Sequence, residues 1–169
     1  YWENSATLFV HTLAHTRENY LIHNNLGVVL AEKGKLAEAI RHYRRALEIA
    51  PGYAHAENNL GEALLAVGNA EEAAEAFERA ISLSPAYPAA YYNLGIVRAA
   101  QGRLKEAETL YRRALQIQPE AAEVHNNLGV VLIRQGRLQA AENHFRRAIR
   151  IRPDYTGARF NLERITSRR

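Results

Sequence analysis

His11 and His15 stand four residues apart, a spacing that places two imidazoles on one face of a helix and could chelate zinc. No third ligand follows nearby, and no carboxylate lies between them as the metalloprotease motif requires. His23, His55 and His125 are most simply packed or solvated side chains. Cysteine is absent, which removes disulfides and thiol nucleophiles. There is no phosphate-cradling glycine loop and no nucleophile elbow. The sequence therefore predicts no enzyme, no metal and no cofactor. Asparagine is placed more regularly: Asn25, Asn59, Asn93, Asn127 and Asn161 follow one another at intervals of 34 residues. An amide side chain both donates and accepts, so such a row can pair with a main chain whatever its sequence.

The row is part of a larger period. Leu-Gly follows each of the first four asparagines, ending on Gly27, Gly61, Gly95 and Gly129, and a second glycine comes seven residues later at Gly34, Gly68, Gly102 and Gly136. Then come Ala39, Ala73, Ala107 and Ala141; Tyr43, Phe77, Tyr111 and Phe145; and Ala46, Ala80, Ala114 and Ala148. Pro51, Pro85, Pro119 and Pro153 close the units. Within a unit the apolar residues keep helical spacing on either side of the second glycine, which suits the left-handed residue ending a helix. The closing proline cannot extend the second helix. Gly27 and Ala39 predict close approach of the two helices, and Ala46 leaves room for the next unit. So small a helix pair cannot bury its apolar face alone, so neighbours must stack on it.

The period, the Leu-Gly pair, the Ala–aromatic–Ala series and the closing proline resemble the tetratricopeptide-repeat (TPR) family over the whole chain. The family's early tryptophan is replaced by His23, Glu57, Tyr91 and His125. The resemblance implies an all-α, right-handed solenoid of antiparallel helix pairs with about ten helices. Full repeats are expected at 20–53, 54–87, 88–121 and 122–155. Residues 1–19 match a degenerate second half-repeat, with Phe9 at the aromatic position and Arg17 where proline belongs. Residues 156–169 match one more first helix acting as a cap, with Phe160 and Leu162 inward and Glu163, Arg164 and Thr166 making its outer face polar.

In TPR arrays the first helix of each repeat lines the concave groove, which here implies positions 2, 5, 6, 9, 12 and 13. Position 6 is the asparagine row, which resembles the asparagine ladder of O-linked N-acetylglucosamine transferase TPR regions and implies main-chain recognition of an extended peptide. Position 5 holds Asn24, Asn58, Tyr92, Asn126 and Phe160; position 9 holds Val28, Glu62, Ile96 and Val130. Position 12 includes Leu65 and Ile133 between Ala31 and Ala99. This wall is amide-rich, apolar and poor in charge, which suits an extended segment with apolar side chains or an inserted helix. Position 2, with Leu21, His55, Ala89 and Glu123, lacks the basic residues by which chaperone-binding TPRs clamp an acidic C-terminal tail. The expected partner is thus another polypeptide, and not a chaperone tail.

Charge adds a further contrast. Residues 1–85 carry 7 Lys and Arg against 11 Asp and Glu, and residues 86–169 carry 15 against 7. Opposed ends can steer a partner or favour contact between copies. Self-assembly through an open N-terminal face (Tyr1, Trp2, Leu8, Phe9) is therefore the alternative reading, and would give a homo-oligomer. The pairs Arg44-Arg45, Arg112-Arg113 and Arg146-Arg147 raise nucleic-acid binding. They fall on second helices without interleaved aromatics, and Glu38 with Arg41 and Glu142 with Arg146 have ion-pair spacing, which disfavours it. Arg98 breaks a leucine series (Leu30, Leu64, Leu132), and is expected to snorkel or to reach an acid such as Glu62. The longest apolar runs, Leu26 to Ala31 and Leu128 to Ile133, are too short to span a bilayer. The chain contains no methionine and starts at Tyr1, which points to a piece of a longer protein. The stretch from Tyr1 through His15 into Asn25 resembles the start of TPR regions that follow the membrane part of bacterial glycosyltransferase-like proteins. That resemblance implies a soluble, substrate-recruiting appendage.

Overall fold

Glycine and proline punctuation cuts each period into two helices. The computed structural model describes residues 19–167, and the described residues contain no strand. Among the described residues nine helices follow in order: α1 (Tyr20–Glu32), α2 (Leu36–Ile49), α3 (Ala54–Ala66), α4 (Ala70–Leu83), α5 (Pro88–Ala100), α6 (Leu104–Ile117), α7 (Ala122–Arg134), α8 (Leu138–Ile151) and α9 (Thr156–Thr166). Asn19 caps α1 by accepting from the backbone N–H of Leu21 at 3.0 Å. Pro88 opens α5, where the missing N–H costs nothing. Of the readings made on residues 1–18, the half-repeat, the open face of Tyr1, Trp2, Leu8 and Phe9, and the His11–His15 pair all lie outside the described residues.

The turn inside each pair is a Schellman closure. At the end of α1, Gly34 takes φ +74°, and the N–H of Lys35 reaches back to the Leu30 carbonyl at 2.9 Å. The short turn folds α2 back along α1, and the first glycine of the unit then acts. A Cβ on Gly27 would lie 2.5 Å from Cε1 of Tyr43, and a Cβ on Gly129 would lie 2.5 Å from Cε1 of Phe145. The aromatic ring of the second helix thus rests directly on the backbone of the first. Ala39, Ala46 and their counterparts are fully or almost fully buried, so nothing larger fits where the helices cross.

The chain divides into two compact units, residues 1–85 and 86–169. In the first, α1 pairs with α2, α3 with α4, and α3 also packs on α2. In the second, α5 pairs with α6, α7 with α8, and α9 packs on α8 and α7. The core of the second unit is built on Tyr111, Leu128, Val131, Leu132, Phe145 and Ile165. Among the described residues no helix is long and apolar enough to cross a membrane.

The cap helix departs from expectation at one residue. Phe160, expected to face inward, is 63% exposed, whereas Leu162 is half-buried and Ile165 buried. Asn24 and Asn126, at position 5, each meet an asparagine from the first helix of the following repeat, and among the described residues no helix follows α9. Glu163 stands at the glycine position of α9 and is exposed, because no second-helix ring presses on it.

Candidate functional site

Positions 2, 5, 6, 9, 12 and 13 fall on one face of each first helix, because steps of three and four residues stay on one side of a 3.6-residue turn. Six asparagines on that face, Asn24, Asn25, Asn59, Asn126, Asn127 and Asn161, make contacts with one another within their own unit. In the first unit Asn59 Nδ2 donates to Asn24 Oδ1 at 2.9 Å, Asn24 Nδ2 lies 3.4 Å from Asn25 Oδ1, and Asn58 Nδ2 donates to Glu62 Oε1 at 2.8 Å. In the second unit a chain of amides runs from α9 to α5. Asn161 Nδ2 donates to Asn126 Oδ1 at 3.0 Å, Asn126 Nδ2 to Asn127 Oδ1 at 3.1 Å, and Asn127 Nδ2 to the Tyr92 hydroxyl at 3.1 Å.

Positions 5 and 6 are thereby distinguished. Asn24, Asn58 and Asn126 at position 5 are buried, and two of them accept from position 6 of the next repeat. Asn25 is exposed, and Asn59, Asn93, Asn127 and Asn161 are half-buried. The position-6 amides spend part of their bonding on stacking repeats and keep part of their surface on the open face. Between them lie the half-buried apolar side chains Val28 and Leu65 in the first unit and Ile96, Val130 and Ile133 in the second. Two charges on this face are tied down: Glu123 accepts from Arg152 at 2.5 Å, and Arg134 donates to the Ala99 carbonyl at 2.7 Å. A cleft of about 250 Å³ opens beside Tyr92, lined by Pro88, Ala89, Ala114, Glu123 and Val124. Burial there pushes the Tyr92 hydroxyl above its usual pKa range.

The arginine pairs on the second helices are engaged within the fold. Arg44 bonds Glu72 of the next repeat at 2.6 Å, Arg112 bonds Glu108 at 2.9 Å, and Arg146 bonds Glu142 at 2.5 Å. Glu38 faces Lys35 at 3.5 Å. Arg79 reaches the buried Glu57, Arg113 lies over the Tyr91 ring at 5.9 Å, and Arg147 bonds Glu120. Arg98 is buried. It donates to Gln101 Oε1 at 2.9 Å and lies 3.8 Å from Glu106 of its own repeat.

Sequence reasoning missed the histidine pairs. His23 Nδ1 lies 3.0 Å from His42 Nδ1, and His125 Nδ1 lies 2.9 Å from His144 Nδ1. Each pair bridges the two helices of its repeat at the same two positions, 4 and 23. Burial, then its partner's charge, lowers the pKa of His23; burial lowers that of His125; and burial with the charge of His125 brings His144 to about 4. His42 is lowered too, by burial and by Arg41. The signal available in the sequence was the joint appearance of histidine at both positions in the first and fourth repeats only. Among the described residues no group of three or more His, Cys, Asp or Glu side chains converges as a metal cluster.

Stacked 34-residue helix pairs, with a first-helix glycine under a second-helix aromatic, define a TPR protein, and TPR folds serve as scaffolds for protein–protein interaction. The chain belongs to the family described as the cilia and flagella-associated protein 70 C-terminal domain, whose model matches residues 4–169. No curated protein matches it at the level of sequence. Among solved structures it is similar to MamA from Desulfovibrio magneticus RS-1, with 21% identity, a TM-score of 0.80, and 92% of this chain and 88% of that one covered. It is similar to Pseudomonas aeruginosa PilF, with 22% identity, a TM-score of 0.83, and 88% and 68% covered. It also resembles the Cut9–Hcn1 assembly of the APC/C, with 17% identity and a TM-score of 0.89, covering 97% of this chain and 33% of that one. At these identities the likeness is one of fold.

Proposed function

We propose that the first-helix face holds an extended polypeptide segment, main chain against the position-6 amides and apolar side chains against positions 9 and 12. The observation that carries this reading is the amide bonding within each unit, which fixes Asn59 on Asn24 in the first and links Asn161, Asn126 and Asn127 in the second. It leaves Asn59, Asn127 and Asn161 half-exposed beside Val28 and Leu65 in the first unit and Ile96, Val130 and Ile133 in the second. Preorganised donors and acceptors lower the ordering cost of capturing a flexible strand. In the four full repeats the one arginine at the groove positions, Arg134, is bonded to the Ala99 carbonyl and no lysine stands there, so an acidic tail finds no lysine clamp. The resemblance of the row to the asparagine ladder of glycosyltransferase TPR regions supports the same reading.

The test is selection of random peptides on the full chain, with enriched sequences re-measured by calorimetry. Peptides with apolar side chains and no required acidic terminus should bind, and Ile96→Glu or Val130→Glu should abolish that binding while the helical signal stays. Enrichment of nothing, or binding indifferent to both substitutions, overturns the reading.

A second reading, self-association, is favoured by Phe160, which lies 63% exposed at the end of the second unit beside Arg159 and Arg164. Light scattering across a salt series decides it, and a monomer at every salt removes it.

A further inference from the structure

The two histidine pairs share one geometry. Ring centroids lie 5.2 Å apart in both, with interplanar angles of 29° and 31°, and the facing nitrogens are both Nδ1. A carbonyl only accepts, so the 3.1 Å contact between His125 Nε2 and the Pro119 carbonyl places a proton on Nε2. In the neutral ring the Nδ1 of His125 then carries a bare lone pair, and it faces the second imidazole. Histidine ligands of metal ions are held in the same way, with the non-coordinating N–H fixed on a carbonyl or carboxylate.

We propose that His125 with His144, and His23 with His42, are two-histidine sites for a divalent transition-metal ion of the zinc and copper type, with water completing the coordination. Zinc–nitrogen bonds of about 2.0–2.1 Å hold two tetrahedral ligands about 3.3 Å apart, so a small swing of the rings from their present 2.9–3.0 Å separation admits the ion. On binding, the Nδ1 proton shared within the pair is released or moves to the other ring nitrogen. All four rings are half-buried, which leaves room for water ligands. The cations around the fourth-repeat pair are ion-paired, Arg147 with Glu120 and both Arg112 and Arg137 with Glu108, so that a single net positive charge remains there. Beside the first-repeat pair Arg45 is held by Glu48 at 2.7 Å, and Arg41 stands near His42 with the charge of Glu38 acting against it. The second and third repeats carry Glu57 with Ala76 and Tyr91 with Leu110 at these positions and have no such site. Because each ion would join the two helices of one repeat, binding stabilises the fold.

The experiment titrates the full chain, stripped with a chelator, with zinc alone against a chromophoric competitor. His144→Gln and His42→Gln should each bind one equivalent less than the wild type, and the double variant two less, whatever His11, His15 and His55 contribute. Zinc should raise the melting temperature of the wild type and leave that of the double variant unmoved by these sites. Should the variants fail to fold, imidazole nitrogen spectra of the wild type decide, since zinc must shift the Nδ1 signals of these four rings. Equal stoichiometry in wild type and folded double variant, or unshifted Nδ1 signals, overturns the proposal.

Discussion

Arg79 Nε donates to Glu57 Oε1 across 2.9 Å, while Glu57 is 6% exposed and its Oε2 is buried with no hydrogen-bond partner. Glu57 occupies the position where the first and fourth repeats place His23 and His125, so the second repeat closes its helix pair with a charge. One face of Arg79 stays in water, which keeps the pair below the worth of a fully buried one. Arg79→Ala should still lower unfolding free energy by about 1–3 kcal/mol, because the buried carboxylate loses the donor that offsets its desolvation. Arg44→Ala, which removes an exposed bridge to Glu72, should cost under about 1 kcal/mol. Adding Glu57→Gln should recover much of the Arg79→Ala loss. Urea unfolding of the four proteins measures all of this, and equal losses for the two arginines would refute it.

Two glycines of one repeat are needed for opposite reasons, one for space and one for backbone angle. Gly129 is helical and sits under Phe145, so Gly129→Ala forces ring or backbone to shift and should cost about 1–3 kcal/mol despite the better helix propensity of alanine. Gly136 has open space around it but takes φ +78°, which asparagine tolerates and other side chains resist. Gly136→Asn should therefore stay within about 1 kcal/mol of wild type. Thermal melts compare the two, and Phe145→Leu should soften the Gly129→Ala loss while leaving that at Gly136 alone.

The helix pairs were legible because period, glycine and proline act locally: Gly34 ends a helix whatever lies around it. The amide row was legible as a row, but its bonding was not. Position 5 is covered only when the next repeat stacks, so nothing within one period shows that Asn24 and Asn126 are buried acceptors or that Phe160 is left exposed. The histidine pairs escaped for a related reason. Their members are 19 residues apart on separate helices, and only the crossing of those helices brings the Nδ1 atoms together. Arg98 was read as an oddity in a leucine series, and its bond to Gln101 depends on how the end of α5 turns.

The amide chain of the second unit should behave as one element. Asn126 accepts from Asn161 and donates to Asn127, so Asn126→Ala strands two partners at once. The expected loss is about 1–3 kcal/mol, the cost of unpaired, poorly solvated amides. It should be felt first in α9, which among the described residues packs on α8 and α7 alone. Hydrogen exchange by mass spectrometry should show faster exchange over 156–166 with α5 and α6 unchanged; uniform change across the unit would contradict the chain.

Acid should act through the histidine pairs in metal-free protein. All four imidazoles have lowered pKa in the folded chain, His144 at about 4, against about 6.5 when unfolded. Above pH 6.5 neither state binds the proton, and the pairs contribute in full. Between there and about 4 the unfolded chain takes up protons that the folded chain refuses, so stability falls as pH falls. Below about 4 His144 is protonated in both states and its part of the slope ends. Glu38, Glu48, Glu108 and Glu120 near the pairs raise these values, while Arg41, Arg45, Arg112, Arg137 and Arg147 lower them, so added salt should change the slope. Unfolding free energy measured from pH 8 to pH 4 with a chelator present should drop chiefly below pH 6.5. His42→Gln with His144→Gln should flatten that drop, and an unchanged slope in the double variant would show that other groups carry it.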